Sequence, residues 1–157
     1  MELSVATVVR RATQSDADAL ARLRFDFRAP RAPNVESEQE FLGRCSGWMH
    51  ARLGANSVWR AWIVERNHEL VGSVWLQVVE KLPNPTVESE WHAYVSNFYV
   101  RPDHRGGGIG SSLLTEALAE AARLQVDFVF LWPSERSRPL YERFGFETAS
   151  GVMVLKR

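Results

Sequence analysis

Phe98-Tyr99-Val100-Arg101-Pro102-Asp103-His104-Arg105-Gly106-Gly107-Gly108-Ile109-Gly110 begins as an apolar strand, crosses a short polar loop and ends in a glycine cluster that starts a helix. The first N–H groups of a helix have no partner inside it, and the helix dipole adds positive potential at that end. Glycines let a ligand approach the backbone closely and permit unusual dihedrals. Together these features make an anion site suited to a diphosphate, with Arg105 as a fixed positive charge beside it. A Walker A loop needs Gly-Lys-Ser/Thr, whereas Gly110 is followed by Ser111 and Ser112. A dinucleotide turn needs G-x-G-x-x-G; counted from Gly106 the third position is Ser111, and counted from Gly108 it is Leu113. On these residues alone, a glycine-rich turn without a ligand remains the alternative.

The flanking sequence reads as alternating elements. Downstream, Leu113, Ala117 and Ala121 line one edge of a helical apolar stripe, and Leu114 and Leu118 the other. Val126 to Trp132 follows as a strand that Pro133 ends. With the strand Trp91–Val100 before the turn, this makes a strand–helix–strand crossover and at least one parallel pair. Further upstream, Val58–Glu65 and Leu70–Val79 form strands joined at Arg66-Asn67-His68, where Asn67 accepts positive φ. Trp59, Ala61 and Ile63 alternate with Trp62 and Val64, so the first of these strands is covered on both faces.

Ser4–Arg11 reads as a first strand, and Thr13-Gln14-Ser15-Asp16 as a capping box before a helix carrying Leu20, Leu23 and Phe27. Two prolines between Arg28 and Asn34 break that helix. Ser37 and Glu40 form a second box, followed by Leu42, Cys45, Met49 and Leu53 on one face. Gly43 and Gly47 each weaken this second helix by roughly 1 kcal/mol, which predicts an irregular helix or one ordered by packing. A short helix spans Ser137–Phe144, and Phe146–Thr148 and Val152–Lys156 read as closing strands. The order is β-α-α-β-β-β-α-β-α-β-β, in a chain of 157 residues that suits one domain over 1–157.

Nineteen basic and nineteen acidic residues give a formal net charge of zero, so no global field favours nucleic acid or an anionic membrane as partner. The basic residues are nearly all Arg, with Lys only at Lys81 and Lys156; compositional drift explains this, and phosphate binding is the alternative. Cys45 is the only cysteine, which allows no internal disulfide and fits a reducing compartment. It reads as a small packed residue rather than a reactive thiol. No apolar run of about 18 residues marks a membrane span, and Met1–Arg11 resembles a strand more than a signal peptide. A cytoplasmic location is expected.

Arg105, Gly108 and Gly110, read as R-x-x-G-x-G after a strand ending at Val100, resemble the coenzyme A signature of the GNAT acetyltransferase superfamily. Ser134-Glu135-Arg136-Ser137-Arg138-Pro139-Leu140-Tyr141-Glu142-Arg143-Phe144-Gly145-Phe146 resembles the same family's later motif, N-x-x-A-x-x-L-Y-E-x-x-G-F, one helix and one strand further on. The resemblance implies an α+β fold, layered in the α/β manner, with a central mixed, mostly antiparallel twisted sheet flanked by helices. It implies acetyl-CoA as cosubstrate, its diphosphate held by the backbone of Arg105, Gly106, Gly107, Gly108, Ile109 and Gly110, with Ser111 adjoining. Phe98, Tyr99 and Val100 would pair with the pantetheine arm, strand to strand. Ser134 stands where the family frequently has Asn, and a hydroxyl offers that arm fewer hydrogen-bonding groups. Tyr141 matches the tyrosine commonly assigned as general acid to the departing thiolate.

The base is less evident, because Tyr94-Val95-Ser96-Asn97 and Phe128-Val129-Phe130 contain no acid. Glu88, Glu90 and His92 lie just upstream; Glu90 and His92 are the candidate bases, directly or through water, against a solvated strand end. No spacing marks metal ligands, and no metal is expected. The family's first two helices commonly form an acceptor wall, where Phe25, Phe27, Arg28, Phe41 and Trp48 fall. This aromatic content points to an apolar or cationic acceptor, or to core packing. The expected reaction is direct attack by a primary amine of a small molecule through a tetrahedral intermediate, its oxyanion met by backbone N–H groups near the end of Trp91–Val100. Two other readings stay open: a protein or peptide N-acetyltransferase, and a non-catalytic acyl-CoA-binding module, which the missing strand carboxylate motivates. A homodimer is compatible with the family.

Overall fold

Within residues 7–157, which the computed structural model describes, five strands pair in sequence order: β1 (Thr7–Arg11), β2 (Trp59–Arg66), β3 (Glu69–Glu80), β4 (Trp91–Val100) and β5 (Val129–Phe130). The expected strand residues 4–6 lie outside the described part. β1 to β4 are antiparallel and β5 joins β4 in parallel, giving the mixed, mostly antiparallel sheet. Helices α1 (Ala17–Arg28) and α2 (Glu38–Arg52) belong to one layer, and α3 (Ile109–Arg123), with the short α4 (Arg138–Arg143), to the other.

The alternation in β2 sets these layers. Ala61 and Ile63 are fully buried under α1 and α2 with Leu20, Leu23 and Met49. Trp62 and Val64 face the opposite side and pack with Leu113, Leu114 and Ala117 of α3. Each fully buried leucine contributes about 1.5–3 kcal/mol, so these contacts fix α3 against the sheet. Gly72 on β3 permits that closeness: a Cβ there would lie 3.1 Å from the Tyr99 carbonyl and 3.3 Å from a Leu113 methyl.

Local chemistry starts and stops the elements as their residues dictate. The β2–β3 loop is two residues long, and Asn67 (φ 52) and His68 (φ 63) both adopt the left-handed region that such a tight hairpin demands. The Thr13 N–H donates to the Asp16 carboxylate at 2.7 Å, and Arg10 grips the same carboxylate at 2.8 and 2.9 Å. At α2, the Ser37 N–H donates to Glu40 at 2.8 Å and the Glu40 N–H returns to Ser37 Oγ at 3.2 Å. Of the two expectations for α2, irregularity or order through packing, the second fits: the helix runs unbroken through Gly43 and Gly47. Its apolar face, with Met49 buried and Leu42, Cys45 and Leu53 partly so, outweighs the two glycine penalties. Burial also pushes the Cys45 thiol up from its ordinary pKa, as suits a packed residue.

Three strand expectations need correction. Val126–Trp132 shortens to Val129–Phe130, because β4 diverges after Tyr94 and leaves nothing to pair with. Phe146–Thr148 and Val152–Lys156 form no strands. A two-residue β5 offers too short an edge to template another strand, so the alternation of Val152 and Val154 finds no ladder.

Glu120, on α3, is the main electrostatic tie between layers. Its carboxylate accepts from Arg60 at 2.8 Å, from Arg123 at 2.8 Å and from Arg11 at 3.4 Å. The Arg123 guanidinium first, and Arg60 with it, hold this carboxyl at about 2 against its ordinary 4.5. No helix among the described residues is long and apolar enough to cross a membrane.

Candidate active site

Only Ala93 and Tyr94 of β4 pair with β5. Beyond them β4 bulges: Ser73 faces Tyr99 and Trp75 faces Ser96, so β4 carries one extra residue where Asn97 takes φ 47. The strand bends away, and its main chain from Val95 to Val100 is left without a neighbour on the β5 side. The wedge so opened is a cleft of about 750 Å³. α1 forms one wall; the glycine turn and α4 form the other.

The glycine turn closes one end. Gly106 (φ 86) and Gly108 (φ 79) adopt left-handed conformations, and Gly108 is the N-cap of α3. Among the described residues, none of the N–H groups of residues 106–111 donates to the protein. Arg105 Nε folds back onto the Val100 carbonyl at 2.8 Å, which anchors its charge over the turn. Burial, followed by the nearby Arg136 charge, lowers its pKa. Gly110 lies where a Cβ would approach the Phe98 ring to 3.3 Å, so glycine lets α3 start hard against β4. Free amides, two left-handed glycines and two guanidiniums fit a diphosphate.

Tyr141 comes from α4 into the same cleft. It is 7 % exposed, with its ring 5.9 Å from that of Phe98 and 5.6 Å from that of Phe146. Burial pushes its phenol up to about 12, with Ser137 opposing, so it holds its proton across the neutral range. Ser134 lines the cleft but is committed locally: its Oγ accepts from the Ser137 N–H at 3.2 Å, while its own N–H donates to Ser137 Oγ at 3.0 Å. The pair shapes the turn before α4, which begins one residue ahead of Pro139.

Of the residues expected around a cofactor, Phe98, Tyr99, Val100, Arg105, Gly106, Ile109, Gly110, Ser134 and Tyr141 line the cleft together. Gly107, Gly108 and Ser111 do not; Gly107 borders a separate recess with Thr7, Val9 and Ser112. The two candidate bases also lie elsewhere. Glu90 is exposed before β4, and the His92 ring, on β4, lies tilted against Phe128 with centroids 3.9 Å apart. Glu88 is drawn to Lys81 at 3.6 Å. The β4–β5 pairing places these residues at the closed end of the wedge, away from Tyr141. No Asp, Glu or His lines the cleft, and among the described residues no three such groups or Cys converge to hold a metal.

The description "Acetyltransferase (GNAT) family" fits residues 17–146, most of the chain. The chain belongs to the GNAT acetyltransferase family. Membership makes it an acyltransferase, and the fold agrees. A predicted acetyltransferase of Clostridium acetobutylicum, solved with acetyl-CoA, superposes with a TM-score of 0.79 at 24% identity, over 96% of each chain. A GCN5-related N-acetyltransferase of Ralstonia eutropha gives 0.77 at 25%, over 96% of this chain and 99% of its own. An aminoglycoside N-acetyltransferase in complex with CoA gives 0.75 at 12%, over 100% and 98%.

In this GNAT chain the aromatic residues of the expected acceptor wall pair mostly with one another and with the sheet, half-buried at Phe25, Phe27 and Phe41 and exposed at Trp48. Phe25 packs on Phe41 at 5.8 Å, and Trp48 on Trp59 at 5.2 Å. Only Phe27 and Arg28 of that set reach the cleft. Sequence reading missed Arg24, Arg31, Tyr94, Asn97, Trp132 and Arg136, all of which line it. Arg24, Arg28 and Arg31 recur at intervals of four and three residues, a helical-face signal that was legible. The Asn97 bulge gave no periodic signal at all.

Proposed function

We propose that the protein is an acetyl-CoA-dependent N-acetyltransferase that moves the acetyl group to a primary amine of a small molecule by direct attack. One catalytic domain over residues 1–157, at work in the cytoplasm, is part of this reading. The observation that carries it is a single cleft where an unpaired stretch of β4, a turn of free amides and a protonated tyrosine meet.

Acetyl-CoA supplies an acetyl group activated as a thioester and a thiol as leaving group. The amides of Arg105–Gly110, with Arg105 and Arg136, would hold its diphosphate. The open main chain of residues 95–100 offers amide hydrogen bonds to an arm that itself carries amides. N–H groups near the Asn97 bulge would serve a developing oxyanion. Tyr141 Oη holds a proton for the departing sulfur. Its raised pKa is matched by the same desolvation acting on a thiolate, which raises the thiol in parallel. The Phe98 and Phe146 rings around Tyr141 exclude water from that proton transfer.

The cleft has five guanidinium groups and no carboxylate. Such a field disfavours an ammonium ion and lowers the pKa of an amine that enters. The acceptor therefore reaches the neutral, nucleophilic form without a dedicated base. The same lack of a base favours one rival, a module that binds acyl-CoA without turnover. Release of free thiol from acetyl-CoA with a panel of primary amines tests the choice. Amine-dependent release supports the enzyme; tight binding with no release for any amine supports the module.

A further inference from the structure

The α1 wall of the cleft carries Arg24, Arg28 and, in the turn after α1, Arg31. Several arginines of the chain meet carboxylates, among them Arg10, Arg22, Arg44, Arg60 and Arg101. Among the described residues these three do not. Arg24 Nη1 donates to the Asn97 amide oxygen at 3.1 Å, and Arg31 Nε to the Phe27 carbonyl at 2.9 Å. Arg24 is half-buried, and burial, then Arg28, push its pKa down. A desolvated guanidinium without a counter-charge is costly unless an anion completes it.

The position of Arg24 separates it from the diphosphate end. Its partner Asn97 is the bulge residue, whereas Arg105 is bonded to Val100, about 10 Å further along the strand at roughly 3.3 Å per residue. Phe27, the one aromatic of the expected wall that reaches the cleft, is already engaged. Arg31 lies 4.5 Å from its ring centroid, Arg28 5.7 Å and Arg24 5.8 Å, and its face stacks on Tyr99. A cationic acceptor would find no free aromatic face there and would meet repulsion instead. The cations gathered on Phe27 speak against a cationic acceptor at this ring.

We propose that the acceptor is an amine that also bears a carboxylate, and that Arg24, assisted by Arg28, holds this carboxylate beside the Asn97 bulge. The assignment rests on the acetyltransferase reading above. A guanidinium presents parallel donors that match a planar carboxylate. The anion neutralises the wall locally, while the remaining positive charge keeps the amine unprotonated.

The test compares amino acids with their own carboxamides as acceptors, using pH-independent kcat/KM for the free amine. The wild type should favour each acid over its carboxamide by at least tenfold. Arg24→Gln should bring that ratio close to one with the KM for acetyl-CoA within about twofold, and Arg24→Lys should restore part of it. A ratio at or below one in the wild type overturns the proposal, as does a ratio that Arg24→Gln leaves unchanged. Faster turnover of aminoalkyl phosphonates than of the matched carboxylates also overturns it. If no pair is turned over, calorimetric binding of the same pairs to the CoA-loaded protein decides, and equal binding of acid and carboxamide counts against it. Acetylation of simple monoamines but not of amino carboxylates removes this inference and leaves the acetyltransferase standing. Failure to bind acetyl-CoA removes both.

Discussion

In the proposed reaction Tyr141 is the side chain that supplies the proton. Its replacement by Phe keeps the ring that packs on Phe98 and Phe146 and removes only the proton. Tyr141→Phe should therefore lower kcat by about 10²-fold or more with the KM for acetyl-CoA nearly unchanged, as steady-state thiol release will read. The raised phenol sets the pH response. An ordinary tyrosine loses its proton near 10.0, whereas this one keeps it to about 12. The rate should rise with pH as the acceptor amine deprotonates and show no descending limb from Tyr141 through pH 10. The placement of Tyr141, Gly106 and Gly110 along the cleft was legible in the sequence because each lies within its own short motif. Glu90 and His92 do not line the cleft, and sequence could not show this: proximity to β4 in sequence does not say which end of a forked strand a residue occupies. The recurrence of Arg24, Arg28 and Arg31 was legible as a helical face, but the approach of Arg24 to Asn97 on β4 is a tertiary fact.

The element that sets the site is the junction of β4 and α3. Gly108 caps α3 at φ 79, where nothing crowds a Cβ but the backbone itself disfavours one. Gly108→Ala should cost about 1–2 kcal/mol, read as a lower midpoint in urea, and should weaken CoA binding by turning the free amides. Gly110→Ala acts through contact instead, since its methyl meets Phe98 and Leu140. Strand and helix periodicity exposed most elements, including the two-faced β2 and the apolar stripe of α3. Periodicity failed where pairing depends on a partner's length. Val152 and Val154 alternate well enough for a strand, yet an edge of two residues cannot hold one. Asn97 was invisible for the converse reason, because a left-handed residue inside a strand leaves the apolar alternation on either side intact.

Across the whole molecule, stability is shared between the layers and any ligand that spans the cleft. Glu120 ties α3 to β1 and β2. Because folding holds its carboxyl near 2 instead of 4.5, its contribution is complete above about pH 4.5 and fades as the pH falls towards 2. Glu120→Gln should lower stability by roughly 1–3 kcal/mol at pH 7, with a smaller difference from wild type at pH 3; denaturant melts at both values check this. Binding adds to the same balance. Acetyl-CoA at about a hundred times its Kd should stabilise the fold by about 2.7 kcal/mol, raising Tm by roughly 5–10 °C in a thermal-shift assay.

Composition hid one property of this molecule. Nineteen cations and nineteen anions cancel on paper, but the recess between α1, β4 and the glycine turn gathers five of the cations and excludes every anion. A neutral particle with its charges sorted in this way behaves as a dipole towards approaching solutes. Anionic nucleotides are steered to the mouth from a distance set by the ionic atmosphere, about 8 Å in physiological salt. Added salt will accordingly slow their arrival far more than their departure.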